Sequence, residues 1–165
     1  MHDKATPPIP FGLTPPEVLA SMSGIDFLRR MFAGEMPHAT MMQQVGLTGG
    51  SAEPGFVVFR AIPGPQHYNP VGSVHGGFTA TLLDSAMGCA VHSMLPAGTL
   101  YTTLEFKISL VRAVMKDTGE VRAEGRALNV GRRVGTAEGR LLDAQGRLLA
   151  HGTTTCLVME TPKQR

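Results

Sequence analysis

Residues 61–104 contain a single formal charge, Asp84. It stands within Gly76-Gly77-Phe78-Thr79-Ala80-Thr81-Leu82-Leu83-Asp84-Ser85-Ala86-Met87-Gly88-Cys89-Ala90-Val91, a run that is apolar or small on every face of a helix. Such a helix is buried all round rather than amphipathic. A carboxylate inside it is costly unless partnered. Either Asp84 pairs with an arginine or a backbone donor, or it is kept there for chemistry. The approach to the helix, Asn69-Pro70-Val71-Gly72-Ser73-Val74-His75-Gly76-Gly77, favours chemistry. Two glycines at a helix entrance cost backbone entropy, and they allow another group to approach the unpaired N–H donors there. A donor-rich helix mouth binds an anion or polarises a carbonyl. A donor-rich helix mouth and a lone carboxylate together are what a hydrolytic site needs.

The spacing adds a constraint. Asp84 follows Gly76 by eight residues, about 12 Å along a helix rising 1.5 Å per residue. A carbonyl held at the mouth must lie roughly 3–3.5 Å from its attacker. One helix therefore does not serve one substrate with both groups, whereas two antiparallel copies do. The expectation is a homodimer with two composite sites. Low charge agrees with it, since 17% of residues are charged against about 25% in a typical soluble domain, and a subunit interface uses apolar surface.

The elements that must position these groups follow from pattern. Residues 1–13, with Pro7, Pro8 and Pro10, read as a flexible arm. A helical extension covers 14–44, starting at Thr14-Pro15-Pro16-Glu17 with Thr14 as cap and Pro15 in the first turn, and broken at Gly24. The main domain spans 45–160. It opens with strands near 45–52 and 56–62 turning at Glu53-Pro54-Gly55, and continues with the long helix over 76–94. Then come four strands. In the first, Leu104, Phe106, Ile108 and Leu110 alternate with polar residues, so one face is expected to be buried. The last two, 133–142 and 148–158, flank Asp143-Ala144-Gln145-Gly146 as a hairpin. Runs of strands around one central helix mean an α+β fold.

Asn69-x5-His75-Gly76-Gly77-x6-Asp84-Ser85-Ala86 resembles the motif of the hot-dog-fold acyl-CoA thioesterases, in particular the phenylacetic-acid-degradation branch of the 4-hydroxybenzoyl-CoA thioesterase superfamily. Tyr101-Thr102-Thr103-Leu104-Glu105, Gly131-Arg132-Arg133 and the segment from Asp143 to Gly152 are similar to its later strands, so the resemblance covers about 24–158. It implies an antiparallel sheet of about six strands wrapped around the helix, dimers with antiparallel helices, and pairing of dimers into tetramers. It implies acyl-CoA hydrolysis with no metal or other cofactor, CoA being part of the substrate, and favours an aromatic, phenylacetyl-type acyl group. Asp84 would be general base or nucleophile. The Gly76 N–H, with Gly77 as second candidate, would donate to the oxyanion from the facing subunit. Asn69 and His75 would orient the carbonyl or the water, and Thr103 would hold the water.

Charge is uneven: residues 1–105 carry 4 Lys/Arg against 7 Asp/Glu, and residues 106–165 carry 11 against 6. Arg112, Lys116, Arg122, Arg126, Arg132, Arg133, Arg140 and Arg147 are either a solvated, ion-paired sheet face or include phosphate ligands. Gly131-Arg132-Arg133 is the favoured CoA site, because the resemblance puts CoA near that strand start. Two alternatives stand: a hot-dog dehydratase or hydratase using His67 or His75, and a non-catalytic acyl-CoA-binding module. Other classes fall away. A net charge of +2 with 5% aromatics disfavours nucleic acid, no apolar run suits a membrane span or signal peptide, and Ser73 lies outside a Gly-x-Ser-x-Gly turn. Cys89 and Cys156 read as reduced, buried thiols of a cytoplasmic protein. His67, His92 and His151 read as structural.

Overall fold

The computed structural model describes residues 8–161. The helical extension forms three short helices. α1 is Pro16–Ala20, with Pro15 rather than Thr14 at the cap position and Pro16 in the first turn, so the start lies one residue beyond expectation. α2 is Gly24–Phe32, capped by Ser23, whose Oγ accepts from the Asp26 N–H at 3.3 Å. The split at Gly24 has a packing cause. A Cβ there would lie 1.8 Å from the His92 carbonyl oxygen, so only glycine lets α2 rest on that backbone. α3, Thr40–Gln44, is not foreseen as a separate helix, because five residues are too few for a periodic pattern to register. Of the expected arm, residues 1–7 lie outside the described residues, and the rest is not free. The Gly12 N–H donates to His38 O (2.9 Å), the His38 N–H to Pro10 O (2.8 Å), and Ile9 and Phe11 pack against the core.

Six strands form one antiparallel sheet: β1 Leu47–Glu53, β2 Phe56–Ala61, β3 Thr99–Leu110, β4 Val121–Val130, β5 Val134–Leu142 and β6 Leu148–Glu160, in the order β1-β2-β4-β5-β6-β3. α4, Gly76–His92, crosses the sheet and packs on β2 to β6, as expected of a hot-dog fold. Leu82, Leu83, Ala86, Met87, Ala90 and Val91 are all sealed in the core. The sheet accepts the helix because it carries glycine beneath it. A Cβ on Gly125 would sit 2.1 Å from the Ala86 carbonyl oxygen. Adding one there would force backbone shifts of the kind that cost about 1–3 kcal/mol.

β3 departs from the alternation read in the sequence. Leu104, Phe106 and Leu110 are 58%, 44% and 61% exposed rather than buried. The cause is position. β3 is the last strand of the sheet and pairs only with β6, with a register shift between Thr103 and Glu105. It runs alongside α4, with Tyr101 against Gly88, Thr103 against Asp84 and Leu110 against Gly76. Among the described residues no strand pairs with its outer edge. Among the described residues no helix is long and apolar enough to cross a membrane.

Candidate active site

The loop before α4 is built to deliver His75. Tyr68 and Val74 form an antiparallel bridge, and the His75 N–H donates to His67 O at 2.7 Å. Asn69 closes the loop. Its Nδ2 donates to Ser73 Oγ (2.8 Å), its Oδ1 accepts from the Val71 N–H (3.1 Å), and its N–H donates to Ser73 O (2.8 Å). Both ends of the Asn69 side chain are thus taken by its own loop, an Asx-type turn. The structure assigns it a role in shaping the entrance.

His75 caps α4, and its Nδ1 accepts from the Gly77 N–H at 2.9 Å. Its carbonyl accepts from the Phe78 N–H at 3.0 Å. Gly77 is therefore already occupied as a donor. The Gly76 N–H has no partner among the described residues and is the donor left at the mouth. A cleft of about 390 Å³ opens here, with Met41, Gln44, His67, His75, Phe78 and Thr81 in its walls. His67 braces it as a structural group: its Nδ1 accepts from the Gly64 N–H (2.8 Å), its Nε2 donates to Gln44 O (2.6 Å), and its ring stands 4.9 Å from that of Phe78.

Asp84 lies two turns along the same helix. Its Oδ1 accepts from Thr103 Oγ1 at 2.9 Å. No cation lies within ion-pair distance of it among the described residues, so the arginine-pair alternative does not hold. It is half-buried, on the one strip of α4 that the sheet leaves uncovered, together with Gly77, Ala80, Thr81 and Ser85. Beside it is a second cavity, of about 170 Å³, walled also by Met31, His38, Met42, Phe59, Cys89 and Tyr101. Burial pushes the Cys89 thiol up to about 12 and the Tyr101 phenol well above its ordinary range, so both are neutral walls. The lining residue that sequence reasoning missed is His38. It follows Pro37 in a link between two short helices, with no spacing motif to mark it.

Gly131, Arg132 and Arg133 form the turn between β4 and β5, where the Gly131 N–H donates to Val134 O at 2.8 Å. All three are exposed. The turn is not brought to the mouth. The neighbouring Gly135 packs on Val91, about 10 Å along α4 beyond Asp84 and about 22 Å from Gly76. Among the other cations, Arg122 pairs with Glu124 (2.8 Å), Arg147 with Asp143 (2.6 Å), and Arg126 lies over the Phe56 ring.

A family model described as the thioesterase superfamily matches residues 71–150, from the loop before His75 to β6. Residues 71–150 belong to the thioesterase superfamily. A solved member-like structure, a phenylacetic acid degradation-related protein of Ralstonia eutropha JMP134, is 28% identical with a TM-score of 0.71, over 79% of this chain and 98% of that one. The BH2602 protein of Bacillus halodurans, solved with CoA, is 37% identical with a TM-score of 0.58, over 62% and 66%. A Halobacterium salinarum protein provisionally named an esterase is 39% identical over 69 residues, which are 41% of this chain and 44% of that protein. The match thus spans less than half the length of that curated relative. The matched thioesterase-superfamily segment contains α4 with its mouth, Asp84 and Thr103.

Proposed function

We propose that this protein hydrolyses acyl-CoA thioesters to the free acid and CoA, using no cofactor beyond the CoA of its substrate. The observation that carries the reading is Asp84: a carboxylate with no cationic partner, held by Thr103 and facing a ring-sized cavity from the middle of an apolar helix. Thr103 occupies Oδ1, which leaves Oδ2 to take a proton from water or to attack the carbonyl itself. In the first course water adds to the thioester carbon, its proton passes to Asp84, and the C–S bond breaks to release the CoA thiolate. In the second, the acyl group is held as an anhydride on Asp84 until water cleaves it. A thioester has a good leaving group, so a positioned carboxylate and an oxyanion donor are sufficient equipment.

The donor is the Gly76 N–H of a second copy. Three features support the pairing: the axial separation of Gly76 and Asp84, the uncovered strip of α4, and the exposed apolar edge of β3. His75 sets the mouth by holding Gly77, and Asn69 shapes the loop that carries it. The Arg132–Arg133 turn receives the CoA phosphates, and dimers pair again into tetramers. A phenylacetyl-type acyl group is favoured by the likeness to the Ralstonia eutropha protein and by the cavity's size.

The test is thiol release from a panel of aryl and alkyl acyl-CoA esters, with Asp84→Ala as control. Turnover that disappears in Asp84→Ala supports the reading. Wild-type activity in that variant ends it. Hydration of an enoyl-CoA without thiol release would replace it with hydratase chemistry.

A further inference from the structure

Two separate hollows open on one strip of α4. Gly77, Phe78 and Thr81 line the cleft at the mouth, and Asp84 and Ser85 line the cavity at mid-helix. Thr81 and Ser85 are four residues apart, so they face the same way and lie about 6 Å from one another along the axis. Without a divider the strip would join the two spaces. Yet the residues that line one are all different from those that line the other. The divider is α3. Met41, Gln44 and Val45, at helical spacing, face the cleft, whereas Met42 and the preceding Ala39 face the cavity.

Met42 is the point at which α3 touches α4 between the hollows. Ser85 Oγ donates to Met42 Sδ at 3.3 Å. Met42 is buried, while Met41 beside it is exposed. A thioether side chain is unbranched and fills irregular gaps. Here a hydroxyl holds its sulfur, so it stands as a wall. The hydrolytic step at Asp84 makes no use of it. The space on the Asp84 side of this wall is about 170 Å³, close to the ~150 Å³ of an engineered cavity in another protein that takes one six-carbon ring. On the other side lie a further 390 Å³ or so.

We infer that Met42 determines acyl specificity as the partition that limits the tail to about six carbons. This rests on the reading of Asp84 as the thioesterase site and adds a size limit to it. With the thioester carbonyl at Asp84, a tail that fits ends against the Met42 thioether. A longer tail has to push this buried side chain aside and break its contact with Ser85. Forcing methylenes into filled space is penalised in any close-packed interior. Shortening the side chain at this position removes the wall and joins the two hollows.

Thiol release from straight-chain acyl-CoA esters, butyryl to decanoyl, tests this on the full-length protein. In the wild type kcat/KM should fall by about tenfold or more between hexanoyl-CoA and decanoyl-CoA. In Met42→Ala, kcat/KM on decanoyl-CoA should rise to about tenfold above the wild-type value, a gain that general damage to the fold does not produce. Met42→Leu, which conserves volume, should keep the cut-off. Met42→Phe should lower hexanoyl-CoA turnover by about tenfold and spare butyryl-CoA. A wild type that accepts decanoyl-CoA as well as hexanoyl-CoA overturns the inference, and so does a folded Met42→Ala with the wild-type length profile. Should Met42→Ala fail to fold, Met42→Phe and a measurement on the wild type decide. With methionine labelled at its methyl 13C, the Met42 signal should move on binding S-hexyl-CoA, a thioether that cannot be hydrolysed. Binding that leaves this signal in place overturns the assignment. Absence of thiol release from every ester, with the Met42 signal moved by bound S-hexyl-CoA, would count against the thioesterase reading and leave the partition standing.

Discussion

Two hollows lie along α4, and they differ in what they offer. The cleft at the mouth, about 390 Å³, is edged by two histidines and the amides of Gln44 and Gln66. The cavity at mid-helix, about 170 Å³, has a carboxylate at its opening and aromatic and sulfur-bearing walls behind. One presents donors, the other an acceptor and an apolar interior. A carbonyl undergoing attack needs both, yet they are separated by about 12 Å of helix. On the proposed reading, each hollow of one protomer is half of a site: the mid-helix cavity would take the acyl tail and the attack, and the mouth would serve a neighbour's substrate.

The largest expected effect comes from removing the acceptor. Asp84→Asn should lower kcat by about 10²–10⁴-fold while circular dichroism and thermal midpoint stay near wild type, since its one hydrogen bond is to Thr103. Next is the donor, which a substitution can delete without opening the fold. Gly76 is the first residue of α4, where proline is tolerated, and His75 at φ −61°, ψ 139° already has the extended conformation a residue before proline adopts. A Cβ there meets only the tip of Leu110, at 3.0 Å. Gly76→Pro should cost about 10²–10³-fold in kcat, the usual loss for an oxyanion donor, with little change in KM. Refolding the two inactive variants together should restore up to about a quarter of wild-type activity, because half the dimers are mixed and each mixed dimer has one intact site. No recovery would place both halves in one protomer.

Arg132→Glu should raise KM for CoA esters about tenfold and leave kcat nearly unchanged, separating CoA binding from either hollow. Equal losses in both would take the β4–β5 turn out of substrate binding. The smallest effect is a pH dependence of stability. Burial lowers His92 to about 4 from an ordinary value near ~6.5. Between these values the unfolded chain binds more protons than the folded one, so stability rises with pH through that window and is lost on acidification. His92 stacks between Phe27 (5.8 Å) and Tyr101 (5.4 Å), so His92→Phe should flatten the loss. Urea midpoints at pH 7, 5.5 and 4.5 would show it, with roughly 1–3 kcal/mol at stake.

The parts of the molecule legible in its sequence are those where one residue type has one physical excuse. Asp84 in an uncharged run, glycines at a helix entrance and the Asp143–Gly146 turn all belong to that class. The order of strands around one helix also followed from pattern. Three things did not. The exposure of Leu104, Phe106 and Leu110 depends on β3 lying at the sheet edge, which alternation cannot express. The capture of Gly77 by His75 and of Asn69 by Ser73 depends on rotamers within a loop. His38 is reached only through the packing of three short helices, where five-residue segments hold no period.

The edge position of β3 has a consequence for the newly made chain. A twelve-residue strand with one unpaired flank and three bare apolar side chains is a template for wrong partners. If the proposed pairing holds, a newly made protomer that fails to meet its copy is a seed for precipitation. Substitutions along β3 should therefore be lost from the soluble fraction of an expression culture before any defect in turnover becomes measurable.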